Sequence, residues 1–589
     1  MKLKRIRQNT QRLSRAKRYM AIGLLLSGIS LTALAQDAVA PSSNATVNLI
    51  RLMVKKGLLT QSDADGLVSQ ANAEATQARR VAAAAVPLSD GAQPGDVRVP
   101  YVPQSVRNEI RDQVKQEVIA QAKSEHWAEP NALPEWLDRI SWFGDLHVRD
   151  ESWYYSRSNS PLFIDYGALN RNGPFDINSI TQKQANPPIL NSQQDRLNML
   201  RLQAHMGMAI KLGDTVTASI RLGSGNDNNP VSTTQTLGGG LIKKNLWLDQ
   251  AWIRWKPTEW ASLTAGRMPN PFMATDLIYS HELNFDGVAG HTDFAFNDTV
   301  SSFATLGAFP IEYTSNDSPS QAFGYDKNTS YSKWMSAAQI GAIVTFNDDV
   351  RWKVALAYYY FSHMRGELSS PCALYLGVNY CSTDDTAPQY MQKGNSVFLL
   401  RDIVPDPSSP GNYPQPQFVG LSYNYHVADF NNQLDFTIGE MPIRLEADYS
   451  RNMAYSATNA FSRYANGLGQ PINNYQAAPA VNGVATTGPY KSGPVGWLAR
   501  GIFGNPNPMA ANEWNVALGY KYLQPDAVLD GLTDQNFRLG GTNAKGFIFT
   551  ADYGIAQRTW LSARYFNAKQ VYGPPFALDV VQLEVSSKF

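Results

Sequence analysis

Polar and apolar side chains alternate along the last stretch of this chain. Val581, Leu583, Val585, Ser587 and Phe589 interleave with Val580, Gln582, Glu584, Ser586 and Lys588. Successive side chains of a β-strand point to opposite sides, so such a segment wants lipid or core on one face and water on the other. The same period begins at Ile140, where Asp145, His147, Arg149 and Glu151 alternate with Leu146 and Val148. It returns where Leu200, Leu202, Ala204, Met206, Met208 and Ile210 oppose Arg201, Gln203, His205, Gly207, Ala209 and Lys211. Val216, Ala218, Ile220 and Leu222 continue it, and further strands are predicted over 337–346, 351–361, 443–450, 514–523, 547–555 and 560–566. Tight turns (213–214, 347–350) and long polar loops (156–194, 362–417, 456–494) connect these segments.

The first quarter of the chain has a different rhythm. Residues 1–35 read as a secretory signal: eight basic residues, then an apolar stretch over 21–34, then Ala33-Leu34-Ala35 as a small-x-small cleavage site. A helical segment is expected over 36–80, with Val47, Leu49, Ile50, Leu52, Met53 and Val54 before Gly57, and Thr60 and Asp63 opening a second helix. An Ala/Pro linker follows over 81–100. Residues 101–139 predict an amphipathic helix, with Val106, Ile110, Val114, Val118 and Ala122 forming one narrow stripe that suits either a coiled coil or docking. Pro130 and Pro134 end it.

No stretch beyond residue 35 approaches 18 apolar residues, so no helix is expected to cross a membrane. The remaining structure that pairs every backbone amide inside lipid is a closed barrel. Tight turns at one end, long loops at the other and aromatics such as Trp247, Trp255, Trp352, Trp514 and Trp560 near strand ends fit an outer-membrane barrel over 140–589. An exported soluble β-solenoid or sandwich explains the alternation but not this combination. At roughly 25–30 residues per strand and connection, the predicted fold is an all-β, antiparallel transmembrane barrel of about 16 strands (range 14–18) behind a short periplasmic α-helical segment. A barrel of this width leaves an aqueous channel.

Charge and cysteine content sharpen the picture. The chain has 51 basic and 50 acidic residues; without the signal, 43 basic residues face 50 acidic ones, a net of −7. A mildly acidic exported protein is not expected to bind nucleic acid. Cys372 and Cys381 are the only cysteines, and in an oxidising compartment they are expected to form a disulfide, two unpaired thiols being the alternative.

Three segments give the chain a resemblance, which runs from about residue 48 to 589. They are LIRLMVKKGLL (49–59), the stretch over 99–150 that includes LPEWLDRISWFGDLHVR, and LDQAWIRWKP with LTAGRMPNPFMATDLIYSHELNFDGVAG in 248–290. In these the chain resembles the bacterial putative porin family of outer-membrane proteins. The resemblance implies periplasmic N-terminal helices and a pore-forming barrel whose terminal aromatic, here Phe589, is read by the barrel-assembly machinery. It brings no catalytic residues to carry over, and no cofactor is expected. His147 departs from the arginine usual at that position.

If the apolar faces meet outer-membrane lipids, the opposite faces line the pore. The candidates are Arg149, Arg201, His205, Lys211, Arg221, Arg351, Lys353, Arg444, Glu446, Asp448, Lys521, Asp552 and Arg564. Basic members outnumber acidic ones, which leans the expectation toward anionic solutes. Arg267, in the Pro-rich GRMPNPFMATD, is a candidate for the constriction, provided a bulge redirects it from the apolar register of Ala261, Leu263 and Ala265. Gly223–Pro230 (GSGNDNNP) lacks calcium-loop spacing and reads as an exposed turn. Histidines and serines occur without a GxSxG or comparable nucleophile context, so an enzyme is not expected. The expected function is passive or weakly selective diffusion of small hydrophilic solutes. The alternative is an envelope-anchoring barrel whose N-terminal helices grip a periplasmic partner. No residue here demonstrates the trimer common among porins.

Overall fold

The computed structural model describes residues 135–589, apart from 180, 182–185, 315–329, 465–466 and 482–483, together with Gly66, Ser69, Ala73, Thr76 and Val114. Those five positions are helical. The rest of the expected signal, helices and linker lies outside the described residues. Two compact units divide at Ala128 and Glu129. The second begins with a short helix, Glu135–Asp138, and passes directly into strand.

From Ile140 the alternation becomes sixteen long antiparallel strands closed into a barrel. In chain order they are β1 (Ile140–Tyr155), β2 (Arg196–Lys211), β3 (Val216–Gly223), β4 (Trp247–Thr258), β5 (Ala261–Pro269), β6 (Asn284–Ala295), β7 (Val300–Glu312) and β8 (Lys333–Asn347). Then follow β9 (Val350–Ser362), β10 (Tyr425–Ile438), β11 (Met441–Asn452), β12 (Val495–Gly504), β13 (Trp514–Leu523), β14 (Ala544–Ala556), β15 (Thr559–Gln570) and β16 (Ala577–Lys588). Each pairs with its chain neighbour. β16 then pairs with β1 in continuous register from Asp145 opposite Lys588 to Tyr155 opposite Leu578, which leaves no edge. Both ends of the barrel chain lie at the end carrying the tight connections, such as 259–260, 348–349, 439–440 and 557–558. The long loops, 156–195, 363–424 and 453–494 among them, share the opposite end.

The strand faces sort as the sequence pattern requires. Leu146, Val148, Leu200, Met206, Leu356, Tyr449, Trp497, Phe547, Tyr565, Leu583 and Val585 are exposed on the outside, whereas their neighbours Arg149, Glu151, Gln203, Gln582 and Glu584 are buried inside. An apolar belt over an enclosed polar interior is stable only with hydrocarbon around it. No described helix is long and apolar enough to cross a membrane.

Strands β4 to β7, β10 and β12 were not delimited by the alternation. Gly266 (φ 116°) and Gly287 (φ 145°) face each other with positive φ, and the register slips at Arg221/Leu222 and Trp255/Thr258, so the period of two is disturbed there. The Pro-rich segment is correspondingly part strand: β5 runs to Pro269, and only 270–283 is loop.

The wall side chains alone do not fill the lumen. Loop residues Phe272, Leu277, Tyr279, Leu529 and Phe537 join wall residues Phe285, Phe309 and Tyr359 in a buried apolar cluster inside the long-loop half. Cys372 and Cys381 are joined by a disulfide in loop 363–424, with Cα atoms 5.8 Å apart.

The seam closes on the last residue. Phe589 N–H donates to the Gly144 carbonyl (3.0 Å) and Gly144 N–H to the Phe589 carbonyl (3.2 Å). A Cβ at Gly144 would lie 2.4 Å from the Phe589 ring and 2.5 Å from the His205 carbonyl. Gly144→Leu is therefore expected to displace that ring and destabilise the barrel by about 1–3 kcal/mol. Heat-modifiable mobility on detergent gels should show the transition at lower temperature, while an outward exchange such as Leu583→Ile leaves it in place.

Candidate functional site: the barrel lumen and its inward loop

Most charged side chains chosen from the alternation occupy inward positions, and most of those are paired. On the wall formed by β15, β16, β1 and β2, Arg149 donates through Nε to Glu584 (2.6 Å), and Arg201 donates to Glu151 (2.6 Å). Arg564 reaches Glu584 at 3.4 Å. His147 bridges Asp145 (3.0 Å) and Glu584 (3.1 Å), and His205 contacts Asp145 (2.8 Å) and Thr233 (3.0 Å). Gln582 donates its amide to Glu151 at 2.9 Å. Cross-strand neighbours of opposite sign thus share one connected network. Removing one member would leave a buried charge without its partner.

The next wall repeats the arrangement. Arg221 donates to Asp249 at 2.6 Å, and Asp249 also accepts from Asn284 at 2.8 Å. Arg267 shares a register position with Ala251 and Asp286. Its guanidinium donates to Asp286 at 3.0 Å and to the Asp249 carbonyl at 2.9 Å, at the base of loop 270–283. It is thus tied to the wall of a cleft that Leu283, Tyr390, Met391 and Leu532 also line.

Across the barrel the pairing is less complete. Arg444 donates to Asp435 at 2.6 Å, and Ser562 donates to Asp552 at 2.5 Å. Arg351 and Lys353 face inward from β9 with no carboxylate at ion-pair distance among the described residues. Lys353 Nζ stands 5.1 Å from the centre of the Phe303 ring, which itself lies over Gly341, where a Cβ would be 2.1 Å from the ring. Lys211 is exposed at the tight-turn end of β2.

Loop 270–283 crosses this lumen. It leaves β5, returns to β6 and is tied to four strands farther round. Met273 N–H donates to Gln339 of β8 (2.8 Å), Thr275 donates its hydroxyl to Asp448 of β11, Asp276 pairs with Arg500 of β12 (2.9 Å), and Lys521 of β13 donates to the Asp276 carbonyl. Strand thirteen of sixteen lies half a circumference from strand five, so the loop spans to the opposite wall. Arg500 also pairs with Glu446 at 2.7 Å. Burial alone would raise the Asp276 carboxyl, but Arg500 and Lys521 outweigh it and hold that group well below the usual carboxylate range. Phe272 and Tyr279 pack edge-on against Tyr359 at 5.3 Å, which stiffens the crossing.

Two further loops fold in above it. Asn536, in loop 524–543, accepts from Arg149 (3.1 Å) and Gln582 (3.0 Å). Asp530 accepts the Gln392 N–H of loop 363–424 at 3.3 Å, and burial pushes its carboxyl up to about 6.

Glu446, Asp448 and Lys521 are thus gathered at one loop, whereas Arg149, Arg201, His205 and Arg564 belong to a separate wall. The sequence reading missed Arg500. Its signal was present in Trp497, Ala499 and Phe503, which alternate outward with inward Leu498 and Arg500. Asn536 and Asp530 had no such signal, because loop residues have no period.

Sequence comparison matches residues 43–589 to the family described as "Putative porin". No protein of curated function shows significant sequence similarity to the chain. Among solved structures, the chain is similar to the outer membrane channel DcaP of Acinetobacter baumannii (10% identity, TM-score 0.33, 76% of this chain and 97% of that one). It is similar to OprB of Pseudomonas putida (11%, 0.38, 77% and 96%) and to the outer membrane protein OmpT of Vibrio cholerae (9%, 0.34, 76% and 97%).

Two outcomes follow from the loop geometry. Asp276→Asn should weaken the anchor by roughly 1.5–3 kcal/mol, the scale of a hydrogen bond to a charged group. Single-channel recordings would then show more frequent current fluctuations. The wild-type anchor, whose folded carboxyl lies below the unfolded value, is complete above about pH 4 and lost only as pH falls further. Asp530 behaves oppositely. Its folded value exceeds the unfolded one, so the packing of 363–424 on 524–543 is strongest below about pH 4 and weakens as pH rises through about 6. Hydrogen-exchange protection in 390–396, taken relative to the intrinsic rate at each pH, should rise on acidification from pH 7 to 5, and Asp530→Asn should remove that rise.

Proposed function

This chain belongs to the "Putative porin" family, and from that premise we propose that it forms a water-filled channel in the outer membrane. Small hydrophilic solutes would diffuse through it passively or with weak selectivity, with a slight preference for anions. The observation that carries this reading is loop 270–283, tied by Asp276 and Thr275 to the wall opposite its own strands. A loop fixed across a polar lumen narrows the passage while charged side chains keep it wetted. In this reading the tight turns and N-terminal segment face the periplasm, the belt meets lipid, and Phe589 serves the barrel-assembly machinery.

The anion preference rests on a local imbalance rather than on the total of basic residues. Arg149, Arg201, Arg221, Arg444, Arg500 and Arg564 each stand beside a carboxylate, which cancels most of their field. Arg351 and Lys353 form no ion pair of their own, the Asp435 opposite Arg351 being shared with Arg444, and neighbouring positive charges on one strand attract anions.

Stable single-channel steps in a planar bilayer, with an anion-selective reversal potential under a salt gradient, are the expected result. Arg351→Glu with Lys353→Glu should shift that potential to the cation side, while Arg564→Gln moves it little. A folded barrel without conductance would overturn the channel reading.

A further inference from the structure

Below the tip of the inward loop, five buried oxygen atoms on facing strand positions lack a hydrogen-bond donor. Tyr359 Oη, Asp429 Oδ1, Asn431 Oδ1, Asp448 Oδ1 and Ser450 Oγ are all without hydrogen-bond partners among the described residues. Their side chains are at most 2% exposed. Register brings them together: Asp429 faces Ser450 across β10 and β11, Asn431 faces Asp448, and Tyr359 on β9 lies diagonal to Asp429. The Asp429 and Asp448 carboxyls lie within hydrogen-bond reach of each other, and Asp429 also interacts electrostatically with Tyr359.

The group is deficient in positive charge. Neither aspartate forms an ion pair among the described residues. The nearby cations are committed elsewhere, Arg500 to Asp276 and Glu446, and Lys521 to the Asp276 carbonyl. Besides each other, Asp429 has the Asn431 amide as donor, and Asp448 has the hydroxyl and backbone N–H of Thr275. Two carboxyls enclosed with neutral oxygens need either a shared proton or a compensating cation, and three further donor-less oxygens around them favour the cation. The donors are two carboxylates, one amide carbonyl, one hydroxyl and one phenol, with no nitrogen or sulfur. That set selects a hard cation. Calcium accepts six to eight oxygens in adaptable geometry, whereas magnesium demands a rigid octahedron and keeps its waters.

We propose that Asp429, Asn431, Asp448 and Ser450, with Tyr359, form a binding site for a hard divalent cation of the calcium type. Because Thr275 is bound to Asp448, the cation would fasten the tip of loop 270–283 to β10 and β11. The site goes beyond the channel reading and is tested separately from it, since metal binding is read without any current.

The experiment uses the full-length barrel in detergent, stripped with chelator and titrated with terbium, whose luminescence nearby tyrosines such as Tyr359 and Tyr279 would sensitise. The expected result is saturable luminescence displaced by calcium, and a rise in the unfolding temperature with calcium that magnesium does not match. Asp429→Asn with Asp448→Asn should reduce terbium affinity at least tenfold while heat-modifiable gel mobility still reports a folded barrel. Ser450→Ala should reduce it less, and it provides the comparison should the double variant fail to fold. Absence of luminescence and of any calcium-dependent stabilisation in the wild type would overturn the proposal. So would luminescence unchanged in a folded double variant or in Ser450→Ala. A cation-independent gain in stability for the Asn variants would also overturn it, because it would show that the two carboxylates share a proton instead.

Discussion

The structure depends on one constraint: backbone amides surrounded by hydrocarbon must pair with one another. A sheet with an open edge cannot meet it, so β16 returns to β1 and the final residue bonds to Gly144. Closure also fixes the rest of the arrangement. With every strand paired to two neighbours, side chains alternate outward and inward except at the few register slips. One face of every strand is therefore available to lipid and the other is confined.

Confinement explains the lumen's chemistry. Cations held inside a wall need partners near at hand, and the barrel supplies them from the adjacent strand, as Arg149 with Glu584 and Arg221 with Asp249. Such pairs offset the cost of desolvation more than they stabilise the fold. Their arrangement leaves the electrostatic character of the passage to the few groups without partners. Arg351 and Lys353 are the positive exceptions, and Asp429 and Asp448 the negative ones. These two imbalances sit on neighbouring strands, so total charge is a poor guide to selectivity.

The inward loop shows how a wide barrel can be narrowed without altering its wall. Its apolar residues Phe272, Leu277 and Tyr279 give it a core of its own against Phe285 and Tyr359, and its polar residues fasten it to strands half a circumference away. Aromatic packing sets the path of the loop, while the Asp276–Arg500 pair sets where it ends. The positive-φ glycines Gly266 and Gly287 flank the point from which it departs. That is also where the alternation was lost to view.

Read alone, the sequence determined the period of two, the absence of an apolar helix and hence the closed antiparallel barrel. These follow from local alternation and from the physics of lipid, which need no knowledge of distant contacts. It also placed Arg149, Arg201, Arg444, Lys521 and Arg564 on the inner face, because side-chain direction in a strand is a local property. Only the tertiary structure decided which of those charges are cancelled, since their partners come from other strands and are set by register. It alone also showed that loop 270–283 crosses the lumen and that Asp429, Asn431, Asp448, Ser450 and Tyr359 converge. A loop has no period, and convergence joins residues as far apart in the chain as Tyr359 and Ser450.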